Sequence, residues 1–321
     1  LADPSDIIYV NRGNIKIGIG GHPLNISIGL VKLGMVGNKV KIIAPVGNDL
    51  CGSYIISTLK SYGIDTRWVH VAENQETGKD VIIVINGEDR RFHVDLGANL
   101  QLSAKNVIRA LGEIRPALLH VTVGVIKAID ESLQDVLEAA RNEGALTFVD
   151  IGVATRPSGG WEFLRESINE GLVEVFHANS YETRKVLGLD DLNEAIHLLL
   201  RSGVRVVLVT EGERGAMLAT NGFVIRQPPF RVRVVDPTGA GDAFQAGFLY
   251  YISSERRPQE SLESLENDPK EAARALAYSQ ATGAACVTAP GTTEAVTSDN
   301  VKEILAGQLD VVLKETVLTK L

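Results

Sequence analysis

Asp236-Pro237-Thr238-Gly239-Ala240-Gly241-Asp242 follows an apolar run, Phe230 to Val235, and opens into Ala243-Phe244-Gln245-Ala246-Gly247-Phe248-Leu249, whose apolar spacing is helical. The order predicted is strand, tight turn, helix N-terminus. Such a junction can hold an anion. Gly239, Ala240 and Gly241 leave the backbone open to a ligand, and the first N–H groups of a new helix lack intrahelical partners. Those donors and the positive end of the helix dipole favour a phosphate, or the charge that builds on one during transfer. Asp242 adds a carboxylate beside that site. With a substrate hydroxyl between it and a terminal phosphate, Asp242 can accept the hydroxyl proton while the amides stabilise the moving phosphoryl. Taken alone, the segment also reads as a plain turn and helix cap.

The longer string is more specific. Asp236 to Leu249 resembles, position by position, the C-terminal signature of the ribokinase-like (PfkB) carbohydrate kinase family, with Pro237 where Thr or Val is more usual. Other segments share the resemblance, which spans roughly residues 15 to 295. Gly20-Gly21-His22-Pro23-Leu24-Asn25 resembles the family's Gly-Gly-x-x-x-Asn segment, although His22-Pro23 replaces smaller residues. Val46-Gly47 with Asp49 and Gly52 is similar to its VGxDxxG segment, and Gly97-Ala98-Asn99 to the base of its lid. Asn179-Ser180-Tyr181-Glu182 matches N-x-x-E, and Thr210-Glu211-Gly212-Glu213-Arg214-Gly215 matches T-x-G-x-x-G. Asp150-Ile151-Gly152 with Arg156 is a looser likeness to D-x-N-x-R, with Gly152 where Asn is common.

The resemblance implies an α/β chain with the ribokinase-like three-layer sandwich, a mostly parallel central sheet and a small β-sheet lid. It implies one kinase domain over 1–321, with lid strands drawn from about 7–19 and 68–96. The implied activity is ATP-dependent transfer of the terminal phosphate to a hydroxyl of a sugar or sugar-like acceptor, with Mg²⁺. Asp242 would be the base, and the backbone of Gly239, Ala240 and Gly241 the anion hole. Gly20, Gly21, Asn25 and Asn99 would meet the acceptor, together with Asp6, the best match to a substrate-binding Asp that follows the family's first strand. That strand is missing or cut short here, and the chain opens on Leu1 without a Met, as a trimmed beginning would. Thr210, Gly212, Gly215, Thr238 and Gly283 would border the nucleotide. Asn179 and Glu182 would order Mg²⁺ through water; read without the family, the same pair is a capping box. A homodimer through the lid is a further implication by analogy.

Composition bounds these readings. The chain has 321 residues, 45% hydrophobic and 22% charged, with a formal net charge of −8. That is a soluble globular composition whose acidity argues against a nucleic-acid partner, so an anionic substrate must be met by local donors. Cys51 and Cys286 read as reduced core thiols in a cytoplasmic enzyme. No uncharged apolar run reaches the roughly 18 residues of a membrane span. Aromatic content of 5% gives little stacking material, a point for a sugar or polyol over a nucleoside, the main alternative acceptor. A dinucleotide-dependent dehydrogenase needs GxGxxG opening a βαβ unit, which Gly18-Ile19-Gly20-Gly21 lacks. A noncatalytic nucleotide-binding relative is disfavoured by Asp242.

In chain order, the first 20 residues read as a hairpin, followed by a helix to Leu33. Strand-like runs at Lys39–Val46, Trp68–Val71, Lys79–Asn86 and Arg91–Leu96 surround a helix over Ser53–Tyr62. From Ala117 strands and helices alternate, with strands at Leu118–Val123, Leu146–Asp150, Val173–Ala178, Val204–Thr210, Ala216–Thr220 and Val232–Val235. Near-continuous apolar strands of this kind argue for a parallel sheet covered on both faces, with ligands at the strands' carboxyl ends. Ser253–Pro269 reads as a surface loop or irregular helix, Glu271–Ala285 as a closely packed helix rich in small residues, and Ser298–Leu313 as a terminal helix.

Overall fold

The computed structural model describes residues 9, 15–83, 91–152 and 160–321. The first part holds α1 (His22–Leu33), β1 (Ala44–Gly47), α2 (Leu50–Ser61), β2 (Val69–Ala72), β3 (Lys79–Ile83), β4 (Arg91–Asp95) and α3 (Ala104–Ile114). The alternating part runs β5 (Leu118–Val123), α4 (Lys127–Asp130), α5 (Leu133–Asn142), β6 (Leu146–Ile151), α6 (Glu162–Asn169), β7 (Val175–Asn179), α7 (Ser180–Leu187), α8 (Leu192–Arg201) and β8 (Val206–Thr210). It closes with β9 (Ala216–Ala219), β10 (Phe223–Gln227), α9 (Ala240–Ser253), α10 (Pro258–Asn267), α11 (Pro269–Cys286), α12 (Ser298–Glu315) and β11 (Val317–Lys320).

Alternation of side chains along the strands explains the layers. Leu146, Phe148, Val175, Val206 and Leu208 face one way and pack with α1, α9 and α11. Val149, Ile151, Phe176, Val207 and Val209 face the other way, against α5 to α8. Both sets are buried because a helix layer covers each face. Among the described residues the central sheet has the order β11-β10-β9-β8-β7-β6-β5. Strands β5 to β8 are parallel, and β8 to β11 antiparallel. The expected three-layer sandwich is therefore present, with a mixed sheet. Register then does functional work. Thr122 lies beside Asp150, Asp150 beside His177, and Asn179 beside Thr210, so polar residues collect at the carboxyl ends of the parallel strands.

Several expectations are corrected. Val232–Val235 joins no sheet: β10 already has β9 and β11 as partners, so no edge is left for it. The segment is held by Val235 and Asp236 N–H groups donating to the Val287 carbonyl at 2.7 and 3.3 Å. Val69–Ala72 is not part of the lid; it pairs in parallel with β1, across the α2 connection. Lid strands among the described residues are β3 and β4, an antiparallel hairpin. Residues 15–19 form no strand, and Ile15 and Ile17 are exposed. Their expected hairpin partner, 7–10, lies outside the described residues apart from Tyr9, as do Asp6, Arg156 and the lid-hairpin tip 87–90. Residues 258–267 are a regular helix with a buried stripe of Leu262 and Leu265, not a loop. Cys286 is buried, but Cys51 is exposed in the first turn of α2. No helix among the described residues is long and apolar enough to cross a membrane.

α9 carries the signature, and its approach to its neighbours is set by small residues. A Cβ on Gly247 would stand 2.6 Å from Thr282 Oγ1 and 3.0 Å from Ser279 Cα on α11. A Cβ on Gly29 of α1 would stand 3.0 Å from Ala246 Cβ. Larger groups there force the helices apart, and overpacking of this kind costs about 1–3 kcal/mol. Gly247→Val should lower the urea-derived unfolding free energy by that amount. Gly307→Ala, on α12 where a Cβ meets nothing within 4 Å, should leave it unchanged or raise it by up to about 1 kcal/mol.

Candidate active site

The turn before α9 is held by a carboxylate. Asp236 Oδ1 accepts from Thr238 N–H at 2.9 Å and from the Thr238 hydroxyl at 2.6 Å, while Asp236 Oδ2 accepts from Gly291 N–H at 3.1 Å. The turn and the loop after α11 are thereby one unit. Gly239, the N-cap, has φ 79°, and a Cβ on it would lie 2.9 Å from Thr292 Cβ, so two independent constraints demand glycine there. The α9 ladder begins with Ala243 N–H donating to the Gly239 carbonyl at 2.9 Å, which leaves the amides of the first turn outside the helix's own bonding. A Cβ on Gly241 meets nothing within 4 Å. The space beside it belongs to a cleft of about 2310 Å³. Beneath the turn, Cys286 donates to the carbonyls of Thr238 and Thr292 at 3.4 and 3.2 Å. Burial, reinforced by Asp242, Asp236 and Glu294, pushes its thiol up to about 12, so it is no nucleophile.

Asp242 sits in the first turn of α9, 8% exposed. Both its oxygens are engaged from the first turn of α1. His22 Nδ1 lies 2.7 Å from Oδ1, and Asn25 Nδ2 donates to Oδ2 at 2.7 Å. Asn25 is itself oriented by the Thr292 hydroxyl, which donates to its Oδ1 at 2.8 Å. Gly21 makes this possible as the N-cap of α1 at φ 94°, followed by Pro23 early in the helix.

A second carboxylate lies behind the first. Asp150, at the end of β6, is buried, with Oδ1 2.7 Å from His177 Nδ1 and Oδ2 3.9 Å from His22 Nδ1. Burial opposes its charge, but the bond to His177, with the field of His177 and His22, outweighs it and holds the carboxyl below its usual range. Burial also opposes a charge on His22. The bond and charge of Asp242, with Asp150 and Glu182, overcome it and raise the imidazole to about 9. His177 stacks on Phe244 with centroids 5.4 Å apart, and its buried Nε2 has no partner among the described residues. On β5, burial drives His120 down and hence neutral, its Nε2 2.6 Å from Gln245 Oε1.

Asn179 and Glu182 form a complete capping box at the start of α7. Glu182 N–H donates to Asn179 Oδ1 and Asn179 N–H to Glu182 Oε2, both at 2.8 Å. Burial raises Glu182 despite that bond. Both residues still border the cleft, as do Gly20, Gly21, Thr210 and Asn99. Among the described residues no group of three or more His, Cys, Asp or Glu is arranged to enclose a metal ion. Gly212, at φ 58°, and Gly215, where a Cβ would be 2.0 Å from the Gln227 carbonyl, shape the turn after β8. Gly283 lets α11 approach the turn: a Cβ there would be 3.2 Å from the Ala240 carbonyl.

Asp49 is an anchor for the lid. Its Oδ1 accepts from Gly52 N–H and the Thr77 hydroxyl, and its Oδ2 from Thr77 N–H, at 2.6–2.8 Å. These bonds, the Thr77 hydroxyl first, pull the carboxyl to about 2. Sequence reasoning missed the His22–Asp242 contact, the role of Thr292 and the Asp150–His177 pair. The i, i+3 spacing of His22 and Asn25 was visible, but nothing local showed that both point at one carboxylate.

A family model described as pfkB family carbohydrate kinase matches residues 7–299. The chain is 29% identical over 245 residues to a deoxyribokinase of Salmonella typhi, covering 74% of this chain and 76% of that protein. Its structure is similar to that of a Xylella fastidiosa fructokinase with bound ATP, with TM-score 0.80, 22% identity and coverage of 90% and 91% of the two chains. It is also similar to a Vibrio cholerae fructokinase in its fructose, ADP and calcium ion bound form, with TM-score 0.73, 20% identity and coverage of 89% and 91%.

The raised pKa of His22 has a consequence for stability. An imidazole that titrates higher in the folded than in the unfolded chain contributes stability that is full below its ordinary value of 6.5 and lost as pH rises through about 9. Thermal midpoints measured from pH 6.5 to 9.5 should therefore fall in this window, and His22→Ala should start lower and lack that component.

Proposed function

The chain belongs to the pfkB family of carbohydrate kinases, and on that footing we propose that it moves the terminal phosphate of ATP to a hydroxyl of a sugar or sugar-like acceptor. The observation that carries this reading is the buried, doubly bonded Asp242 carboxylate adjoining the first-turn amides of α9. The acceptor oxygen attacks the γ-phosphorus, the bond from that phosphorus to the bridging oxygen breaks, and ADP leaves. Asp242 takes the hydroxyl proton, using lone pairs not engaged by His22 and Asn25. The amides of Gly239, Ala240 and Gly241 receive the charge that develops on the transferring group. Little covalent work falls to the protein beyond this; the rest is positioning.

Gly20, Gly21, Asn25 and Asn99 form the acceptor side of the site, with Asp6 as their expected companion. Thr210, Gly212, Gly215, Thr238 and Gly283 form the nucleotide side. Asn179 and the Glu182 oxygen outside the capping box are oxygen donors that suit a hard divalent cation, reached through water because both residues already serve a helix end. Mg²⁺ bound with the nucleotide would neutralise phosphate charge. A nucleoside acceptor is the second reading, favoured by the cleft's volume of about 2310 Å³ and by Ile82, Phe92 and Val94 of the lid strands, which line it. The exposed apolar residues of the same hairpin are the surface through which we infer a homodimer.

Coupled ADP release from ATP and Mg²⁺, against a panel of sugars, polyols, sugar acids and nucleosides, tests the reading. A strong acceptor-dependent rate supports it and chooses the acceptor class; no rate with any of them counts against it. With the best acceptor, Asp242→Asn should lower kcat by about 10²–10⁴-fold while far-UV circular dichroism and ATP affinity change little. Near-normal turnover would remove Asp242 as the base.

A further inference from the structure

The His22-Pro23 pair, which replaces smaller residues of the family pattern, puts an imidazole in direct contact with Asp242. Its Nδ1 is 2.7 Å from Asp242 Oδ1 and 3.9 Å from Asp150 Oδ2, so the ring stands between two buried carboxylates. On the other Asp242 oxygen, Asn25 donates from one helical turn further along α1. The two contacts differ in kind. Asn25 is buried, neutral and fixed by Thr292, whereas about a third of the His22 side chain is accessible from the cleft. Gly152 makes room for the ring: a Cβ there would stand 3.3 Å from His22 Nε2.

The charges facing His22 come from every surrounding element. Asp242 on α9, Asp150 on β6, Glu182 on α7 and Asp80 on β3 are acidic, His120 on β5 is neutral, and His177 on β7 bonds Asp150 at 2.7 Å. His22 is thus the imidazole bonded to Asp242, as His177 is the one bonded to Asp150, and it stands beside a site that has to receive triphosphate. Proton acceptance needs the carboxylate form of the base, and a cation in hydrogen-bond contact favours that form.

Resting on the kinase reading above, we propose that His22 is a positioning residue for the transfer step: its ring fixes the rotamer of Asp242 and sets a positive charge beside the carboxylate that accepts the proton. The acceptor hydroxyl then meets a carboxylate already aimed and already paired. Proton uptake occurs on Asp242, and the ring keeps its own proton throughout. Burial disfavours that proton, yet its acidic partners hold the ring protonated up to about pH 9, so the arrangement operates at neutral pH and fails above that value.

The test compares wild type, His22→Ala and His22→Asn, whose side-chain amide can donate from near the Nδ1 position but does not titrate. The acceptor is the one giving the highest rate in the panel, with D-ribose and D-fructose as first probes, from pH 6 to 10. His22→Ala should lower kcat about 10–100-fold, the equivalent of one hydrogen bond to a charged group, with KM for ATP changed less than threefold. His22→Asn should recover part of kcat and lose the alkaline decline that wild type shows near pH 9. A kcat for His22→Ala within twofold of wild type, or the same alkaline limb in wild type and His22→Asn, overturns the proposal. Histidine NMR titration separates its failure from that of the kinase reading. If no acceptor is phosphorylated, the transfer role falls with the kinase reading, and the His22–Asp242 pairing stands by itself only where His22 titrates near 9 in wild type and more than one pH unit lower in Asp242→Asn. A ring titrating near 6.5 in both proteins overturns the proposal whatever the enzymology shows.

Discussion

The contact on which the site depends is the pair of hydrogen bonds from the first turn of α1 to the carboxylate in the first turn of α9, between residues 220 and 217 positions apart. Each helix starts at a glycine with positive φ, Gly21 and Gly239, so each begins with an abrupt change of direction that a residue with a Cβ adopts only under strain. The two starts are aimed at each other. Close packing of α1 on α9, through Gly29 and Ala246, fixes their separation, and Thr292 ties Asn25 to the loop that touches Gly239. A carboxylate placed this way has lost its rotamer freedom before any ligand arrives. Preorganisation of that kind costs nothing at the moment of reaction, which is where electrostatic catalysis obtains its advantage over water.

Electrostatic order extends one layer deeper. Asp150 and His177 form a buried pair bordering the cleft, joined at 2.7 Å, and that bond outweighs burial to hold the Asp150 carboxyl below its usual range. Its register on β6 and β7 follows from parallel pairing, since Asp150 and His177 are direct neighbours in the sheet. The same pairing sets Asn179 beside Thr210. A parallel sheet therefore converts four unremarkable strand ends into one polar rim, and α9 brings its amides and Asp242 to that rim from the helix layer. In the antiparallel half of the sheet, β9 and β10 complete the core on which α11 rests, and β11 covers the outer edge of β10.

How much of this was legible in the sequence differs by element. The anion turn and Asp242 were legible because small residues, an acid and a helical period fall within one short string. Strands β5 to β8 were legible because they are buried on both faces and read as apolar runs. Val232–Val235 misled for a physical reason: it has strand composition, but the sheet edge it would need is taken by β11, a strand of four exposed residues with no pattern of its own. Val69–Ala72 misled likewise, since nothing in β-branched alternation tells a parallel partner from a lid partner. His22 was visible as a departure from the family pattern. Its meaning required the partner on α9, because a histidine's role is set by the charges around it and not by its neighbours in sequence.

The lid hairpin illustrates the same division between local and distant causes. β3 and β4 are exposed along their whole length, so a two-stranded ribbon of this kind has too little buried surface to hold itself. What holds it lies at its base. Thr77 bonds Asp49 through both its N–H and its hydroxyl and accepts from Gly47 N–H, and Gly97 packs where a Cβ would strike the Glu76 carbonyl at 2.4 Å. Asp49 is in turn the cap of α2, joined through β1 to the body of the molecule. The ribbon is thus fixed at one end by a carboxylate and free to present Ile82, Phe92 and Val94 to whatever enters the cleft. Elements of low intrinsic stability on a rigid root are where a protein can respond to a ligand without disturbing its core. In this chain the lid is rooted through Thr77 on Asp49 and Asp242 is clamped from α1, so two parts that border one cleft are built on separate supports.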